Sequence, residues 1–465
     1  MFMKHMNSRL SKLASVLALA LASFASCAQD GFSGFLEDLR IEAMVSGISD
    51  ETANNAVSHI EFLPDVIALD RSQPEFISPF LDYYQKRVNA AKVQRGRQLL
   101  LEHEAMFNRI EAQYGVSKYT LAAFWGMETQ YGRNQGKLDI LSSLATLAYD
   151  GRRTEFFRGQ LLDAMRMIDI GHVAPGALTG SWAGAFGNMQ FMPTTFMMYA
   201  VDGDSDNLID VVDSLPDAIA SAANYLSQVG WHSDEPAMLE VQLPTGFDWG
   251  SAQLSVRKPV AEWSRLGVRA LHVDAGAPGF GSGAAVGQEV SNKKTRLNPE
   301  NIKKPATHKT DKSKTQRPAQ PEQQNVSVGT VSLDVLGLQV KGPAAILLPQ
   351  GYRGPAFMVF DNFDVIMDWN RSVNYALSVA QLAEQLRHES RIVGGKFAEE
   401  GALSFQEMLD LQTMLNTRGF DAGEPDGLPG LMTQEAIRKY QVANQLPADG
   451  YASRSLYQRL YAEQQ

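Results

Sequence analysis

Residues Thr120 to Gln130 read TLAAFWGMETQ. Leu121, Phe124, Trp125 and Glu128 fall at i, i+3, i+4 and i+7, so a helix puts all four on one face. That face is apolar and aromatic except for one carboxylate, and an unpaired charge is costly there. Desolvation favours the protonated form. An acid kept protonated near neutral pH can hand a proton to a leaving oxygen, as cleavage of a glycosidic bond requires. Two plainer readings compete: a glutamate at a helix end pointing to water, and one paired with an arginine such as Arg133.

Composition narrows the setting of that acid. The 465 residues carry 42 Lys and Arg against 52 Asp and Glu, a formal charge of −10. Nucleic-acid proteins usually show a basic footprint, so no nucleic-acid partner is expected. The single cysteine, Cys27, excludes an internal disulfide and a cysteine-built zinc centre. With 44% hydrophobic residues the chain can bury a large core, and its length suggests two or three domains.

The position of Cys27 is informative. Lys4, His5, Arg9 and Lys12 precede an apolar run from Leu13 to Phe24, broken only by Ser15 and Ser23. Ala25, Ser26, Cys27 and Ala28 follow. This is the three-part pattern of a bacterial export signal over residues 1–27, and it is short for a membrane span. The mature protein is therefore expected in the periplasm. Two processing sites fit. Phe24-Ala25-Ser26-Cys27 resembles a lipoprotein box, with Phe24 where leucine is usual; Cys27 would then be lipidated and would anchor the protein to the outer membrane. Ser26-Cys27-Ala28 fits a plain cut before Gln29.

From about Phe32 to Leu121 the pattern is helical, and it continues so to about Gly230 between Gly- and Asp-rich loops. Two apolar runs, Ala345–Leu348 and Ala356–Phe360, flank PQGYRGP and read as a strand pair across a turn. Between about 275 and 328 the composition shifts to Gly, Ala and Ser, then to Lys, Gln, Pro and Thr, with Phe280 the sole aromatic. Such a stretch cannot offset its ordering entropy and is read as a disordered insertion.

DGDSDNLIDVVDSLPD, from Asp202 to Asp217, has no lysine or arginine. So many like charges repel unless a cation is present. Asp202, Asp204 and Asp206 have the spacing of positions 1, 3 and 5 of an EF-hand loop, with Leu208 at the backbone-carbonyl position. Asn207 takes the glycine position and tolerates the left-handed backbone. Asp213 stands where the closing glutamate is usual. A structural calcium ion is expected, with no catalytic cofactor.

WGMETQYG at Trp125–Gly132 resembles the catalytic-glutamate segment of lytic murein transglycosylases of the membrane-bound lytic transglycosylase B type. QPEF at Gln73–Phe76, SLATLAYDGRR at Ser143–Arg153, GSWAGAFGNMQFMP at Gly180–Pro193, YAVDGDSD at Tyr199–Asp206, ANYL at Ala223–Leu226 and FDVIMDWNRSVNYAL at Phe363–Leu377 are similar to that family too. The resemblance implies that Glu128 is general acid and then general base. It would protonate the glycosidic oxygen between N-acetylmuramic acid and N-acetylglucosamine, then deprotonate the muramyl C6 hydroxyl, which attacks C1. The product is a 1,6-anhydromuramyl end. The substrate supplies the nucleophile, so the second carboxylate of an ordinary glycosidase is not needed.

The same resemblance places Ser181 and Gln190 where they hydrogen-bond the sugar or hold the acid. It puts Tyr225, Trp369, Asn370 and Tyr375 along the glycan groove, with core packing the plain alternative for the aromatics. Family members often have tyrosine where this chain has Trp369. Arg152 and Arg153 would meet lactyl or peptide carboxylates, or form a surface ion pair. The family's closing carboxylate comes later in the loop and points to Asp217, so Asp213 and Asp217 both stay open.

Leu409–Ser453 is similar to the small three-helix peptidoglycan-binding domain, on Gln412, Gly419, Asp426-Gly427, Gly430, Thr433, Ala436, Ile437, Tyr440-Gln441 and Asp449-Gly450. Leu411 and Leu415 share one helix that Gly419 stops, and Thr433 starts the next. The expected fold is mostly α (α+β). A lysozyme-like catalytic domain with a small β element spans residues 28–395, and the wall-binding module spans 402–462. The expected partners are peptidoglycan glycan strands. A hydrolytic muramidase and a non-catalytic wall-binding scaffold are the competing functions.

Overall fold

The structure is a computed structural model describing residues 31–71, 78–173, 176–273, 328–338, 340, 342–394 and 401–464. The export signal, Cys27, the QPEF segment and the insertion at about 275–328 lie outside the described residues, save Val328. One compact unit takes in Met1–Leu271 and Thr330–Gln465; the other, His272–Gly329, is described only at its ends.

Helices dominate the first part of the chain, as its periodicity predicts. They are α1 (31–45), α2 (Asp50–His59), α3 (Pro64–Arg71), α4 (Phe80–Arg87), α5 (Ala90–Glu102), α6 (Glu104–Tyr114) and α7 (Lys118–Thr129). β1 (Leu138–Asp139), α8 (Ile140–Asp150), α9 (Thr154–Asp169), β2 (Thr179–Gly180), α10 (Pro193–Tyr199) and α11 (Leu215–Gln228) follow. α7 is buried at nearly every position, which is why its sequence is apolar all round as well as along one stripe. The more amphipathic α8, α9 and α11 surround the same core.

A sheet then forms from β3 (Met238–Gln242), β4 (Arg257–Lys258), β5 (Arg269–Val273), β6 (Val328–Ser332), β7 (Ala344–Leu347) and β8 (Ala356–Val359), with α12 (Val260–Arg265) between β4 and β5. The strand order is β4-β7-β8-β3-β5-β6. The strand pair expected across PQGYRGP is present: β7 and β8 run antiparallel with Ala345 opposite Val359 and Leu347 opposite Phe357. All eight residues of the pair are buried, so both faces are apolar and the run does not alternate. β8 leads directly into α13 (Asp361–Trp369) and α14 (Val373–Arg387), and α14 packs along α7.

The C-terminal part has three helices, α15 (Phe405–Thr417), α16 (Leu431–Ala443) and α17 (Arg454–Ala462), around a core of its own built on Leu411, Leu415, Ile437, Tyr440 and Leu460. Ser404 and Glu407 close a capping box at the start of α15. Gly419 has φ 83° just beyond its end, as a helix stop requires. α16 starts at Leu431, two residues before the expected Thr433. Thr433 lies inside the first turn because its hydroxyl is needed within: it accepts from Gln412 Nε2 at 3.0 Å, while Gln412 Oε1 accepts the Asp426 and Gly427 N–H groups. Among the described residues no helix is long and apolar enough to cross a membrane.

Candidate active site

α7 ends in a wide turn. Gln130 and Tyr131 have φ of 52° and 61°, and both direct their N–H groups to the Trp125 carbonyl. The Gly126 carbonyl, which Gln130 would serve in a regular helix, accepts the Lys92 ammonium at 2.8 Å instead. Glu128 lies within this turn. The ring of Tyr131 wedges between α5 and α7, and its hydroxyl donates to the Lys92 carbonyl at 3.0 Å. A Cβ on Gly126 would stand 2.7 Å from that ring, and one on Gly96 would collide with its hydroxyl. The close approach explains both glycines.

One carboxylate oxygen of Glu128 takes two donors. Oε1 accepts the indole N–H of Trp369 at 2.9 Å and the hydroxyl of Tyr375. Oε2 accepts no hydrogen bond among the described residues. Burial pushes the Glu128 carboxyl up to about 7, against the pull of Tyr375, Trp369 and the charges of Arg87 and Lys92. Burial and the adjacent Glu128 hold the Tyr375 hydroxyl well above its ordinary range, so it stays a donor. The acid therefore keeps its proton well above the ordinary carboxyl range, with one oxygen fixed and the other open.

Aromatic rings build the adjoining wall. The Trp369 ring lies 4.7 Å from Phe124, 5.5 Å from Phe191 and 5.2 Å from Tyr225, the last edge-on. Tyr225 meets Tyr199 edge-on at 4.9 Å, and burial pushes its hydroxyl up to about 12. Trp369 and Tyr225 are half-buried, with surface left for a ligand. Tyr375 is 5% exposed, so its ring is packed in the core and only its hydroxyl serves the acid. Asn370 is exposed and ends α13, where its side-chain oxygen accepts the Ser372 N–H at 3.1 Å.

The segment from Gly180 to Pro193 is tied to the acid's helix. Ser181 Oγ accepts the Ala185 N–H at 3.1 Å and shapes a tight loop. Gln190, at φ 51°, donates from Nε2 to the carbonyls of Gln135 and Gly187 at 3.0 and 3.1 Å. The residue that links this loop to α7 was not singled out by the sequence. Asn188, 6% exposed, accepts the Trp125 indole N–H at 3.0 Å, and its carbonyl accepts the Thr129 hydroxyl at 2.8 Å. Its amide donates to the Val212 carbonyl at 2.8 Å, so the acidic loop is fastened to the same point. Asn188 stands inside the GNMQ motif, which was the only signal for it.

Arg152 and Arg153 form ion pairs within the protein. Both guanidinium groups converge on Asp70 of α3, Arg152 at 2.6 Å on Oδ2 and Arg153 on Oδ1. Asp70 is 2% exposed, and burying its charge demands such partners. The pair forms an ion-pair anchor between α3 and the α8–α9 turn, the plainer of its two expected uses.

In the acidic loop, side-chain oxygens of Asp202, Asp204 and Asp217 all lie within 4.8 Å of one another. Asp213 is exposed, and its N–H donates to Asp210 at 2.9 Å. Of the two candidates for closing the loop, Asp217 is thus the one that joins the cluster. It is 1% exposed, and its oxygens accept the Gly203 and Asp210 N–H groups, each at 2.7 Å. Burial and the neighbouring Asp204 push its carboxyl up, against those N–H groups. Asp206 is outside the cluster and accepts the Leu208 N–H at 2.7 Å, while Leu208 itself is exposed. Asn207 has φ 71°, the left-handed backbone expected of it. Hard oxygen donors closing on one point suit calcium, so the residues fit the ion.

A helical domain that keeps one carboxylic acid protonated near neutrality beside an aromatic groove, on a chain with a separate three-helix module, has the build of a lysozyme-like wall enzyme. The chain belongs to the transglycosylase SLT domain family, whose model matches residues 31–295 and 277–384. A model described as a putative peptidoglycan binding domain matches residues 406–460.

Membrane-bound lytic murein transglycosylase B of Escherichia coli (strain K12) is 34% identical over 210 residues. That match takes in 42% of this chain and 58% of the relative, so the chain spans little more than half of that curated protein. Two crystal structures of SltB3 from Pseudomonas aeruginosa, with NAG-NAM-pentapeptide and with NAG-anhNAM-pentapeptide, are each 36% identical. Each alignment covers 92% of this chain and 99% of that one, at a TM-score of 0.75. The Escherichia coli lytic transglycosylase Slt35 in complex with calcium shares the fold, at 24% identity and a TM-score of 0.54, over 77% of this chain and 92% of its own.

Proposed function

We propose that this protein cleaves the β-1,4 bond between N-acetylmuramic acid and N-acetylglucosamine in peptidoglycan and leaves a 1,6-anhydromuramyl end. The carrying observation is the asymmetric carboxyl of Glu128, pushed to about 7 by burial and held by Trp369 and Tyr375 at one oxygen only. Oε2 delivers a proton to the glycosidic oxygen as the bond to C1 breaks. The same oxygen then takes the proton of the muramyl C6 hydroxyl as that oxygen bonds to C1. Glu128 ends protonated, as it began, and no water is consumed. The similar Pseudomonas aeruginosa protein, crystallised with NAG-anhNAM-pentapeptide, supports the anhydro product.

Trp369 and Tyr225 offer faces for sugar stacking, while Ser181, Gln190 and Asn370 frame the polar side. Digestion of sacculi followed by mass analysis tests the reading. Anhydromuramyl ends are expected. Reducing muramyl ends would make the protein a muramidase, and binding without digestion would make it a scaffold.

Asp202, Asp204 and Asp217 would hold a calcium ion, which supplies charge neutralisation that braces the loop against Asn188. The C-terminal module would tether the enzyme to its polymer and raise local substrate concentration. The export pattern and the membrane-bound relative support a periplasmic location with Cys27 lipidated at the outer membrane. Intact mass of the mature N-terminus checks the anchor: a start at Gln29 would exclude it.

A further inference from the structure

The wide turn of α7 takes the Gln130 N–H away from the Gly126 carbonyl. That carbonyl accepts from Lys92 of α5, a half-buried lysine whose ammonium lies 2.8 Å from Gly126 O, two residues before Glu128. A cation at a helix C-terminus is favourable because the unpaired carbonyls there carry partial negative charge. Tyr131 fixes the backbone of the same lysine by donating to its carbonyl. Lys92 is thus held at both ends against the turn that carries the acid.

We propose that Lys92 is a positioning residue for the acid: its ammonium closes the last turn of α7 and, from there, sets where Glu128 stands and how firmly it keeps its proton. The inference rests on the proposed role of Glu128 and deepens it.

The electrostatics agree with the geometry. Burial and the nearby Arg87 bring the Lys92 ammonium down to about 8, and the charge of Glu128 opposes that fall. The other groups that face Glu128 are few. Tyr375 comes from α14 and Arg87 from α4, the latter exposed and stacked over Tyr83 at 5.4 Å. α11 contributes Tyr225, which reaches Trp369 and not the carboxyl. α6 contributes Glu111, which accepts the Lys118 N–H at the opposite end of α7. His103, after α5, meets the Trp125 ring at 6.5 Å. Lys92 is the cation attached to the acid's own turn.

The test compares wild type with Lys92→Gln, which keeps a donor for Gly126 O but removes the charge, and Lys92→Arg, which keeps both. Release of anhydromuropeptides is followed against pH. The rate falls on the alkaline side as the acid loses its proton. Loss of a neighbouring positive charge should move that limb upward by about one pH unit in Lys92→Gln. Lys92→Arg should leave it in place. A Lys92→Gln limb that superimposes on wild type, with the rate lowered alike at every pH, would reduce Lys92 to a prop and overturn the proposal. Titration of the Glu128 carboxyl by carbon NMR, with Glu128→Gln as blank, reports the same shift without turnover. Absence of anhydro product from wild type would therefore defeat the functional reading while this measurement still decides for or against Lys92.

Discussion

Three of the carboxyl groups in or against the core, those of Asp70, Asp217 and Glu128, meet burial differently. Asp70 gives one oxygen to each of two arginines. Asp217 gives both oxygens to backbone N–H groups and stands close to Asp202 and Asp204. Glu128 gives one oxygen to two side-chain donors and keeps the other open. Burial alone therefore does not define an acid catalyst. A buried carboxylate paired at both oxygens is a brace, whereas one satisfied at a single oxygen can still exchange a proton with a ligand.

The largest effect should come from Glu128→Gln, which keeps the shape and removes the proton. Anhydromuropeptide release should fall by about a thousandfold or more, a general acid being worth roughly two to four orders of magnitude. Stability should respond in the opposite sense. The folded-state value of Glu128 is raised from 4.5 to about 7. Its contribution is thus fully present below 4.5 and is lost as pH rises through about 7. The melting temperature of Glu128→Gln should gain on wild type across that window and run parallel above it. Parallel behaviour at every pH would show that burial does not raise the Glu128 carboxyl.

Asp217→Asn comes next. The amide cannot accept at both positions, so one of the Gly203 and Asp210 N–H groups loses its partner, at a cost of about 1–3 kcal/mol. Wild type should melt higher in calcium than in chelator, and the variant should lose that difference. A calcium response that survived in Asp217→Asn would return the closing role to Asp213. Asp70→Asn should cost about 1–2 kcal/mol, less than the usual loss of a buried ion-pair partner, because both arginines are partly exposed and can turn to water. Turnover should be unchanged. A raised KM for peptide-bearing substrate in Arg152→Ala or Arg153→Ala would show that the pair also meets substrate carboxylates.

What could be read beforehand follows the range of the forces involved. The stripe through Leu121, Phe124, Trp125 and Glu128 is a local pattern, and so is the apolar pair Ala344–Leu347 and Ala356–Val359; both were legible. The spacing of Asp202 and Asp204 was legible too, since a loop declares its donors in order. The donors to Glu128 lie 241 and 247 residues away and were reached only through resemblance, which did not say that they bond the acid. Lys92 and Asp70 gave no signal. Each is an ordinary charge on a helix until the fold shows what it faces: a carbonyl set free by the Gln130–Tyr131 backbone, and a pair of arginines 82 and 83 residues on.

The smallest effect should appear at the second donor to Glu128, the indole nitrogen of Trp369. Trp369→Tyr keeps a donor of other reach, so Oε1 of Glu128 retains two partners and the rate should change by only about threefold, a fraction of one hydrogen bond. Trp369→Phe keeps a ring against Phe124, Phe191 and Tyr225 but removes the donor. Glu128 then holds its proton more tightly, because the lost hydrogen bond favoured the charged form. The alkaline limb of the pH profile should move up in Trp369→Phe and stay in Trp369→Tyr. Identical limbs would mean that Tyr375 alone satisfies Oε1 and that Trp369 serves only as a sugar-stacking wall. The asymmetry of the Glu128 carboxyl would then rest on a single hydroxyl buried in α14.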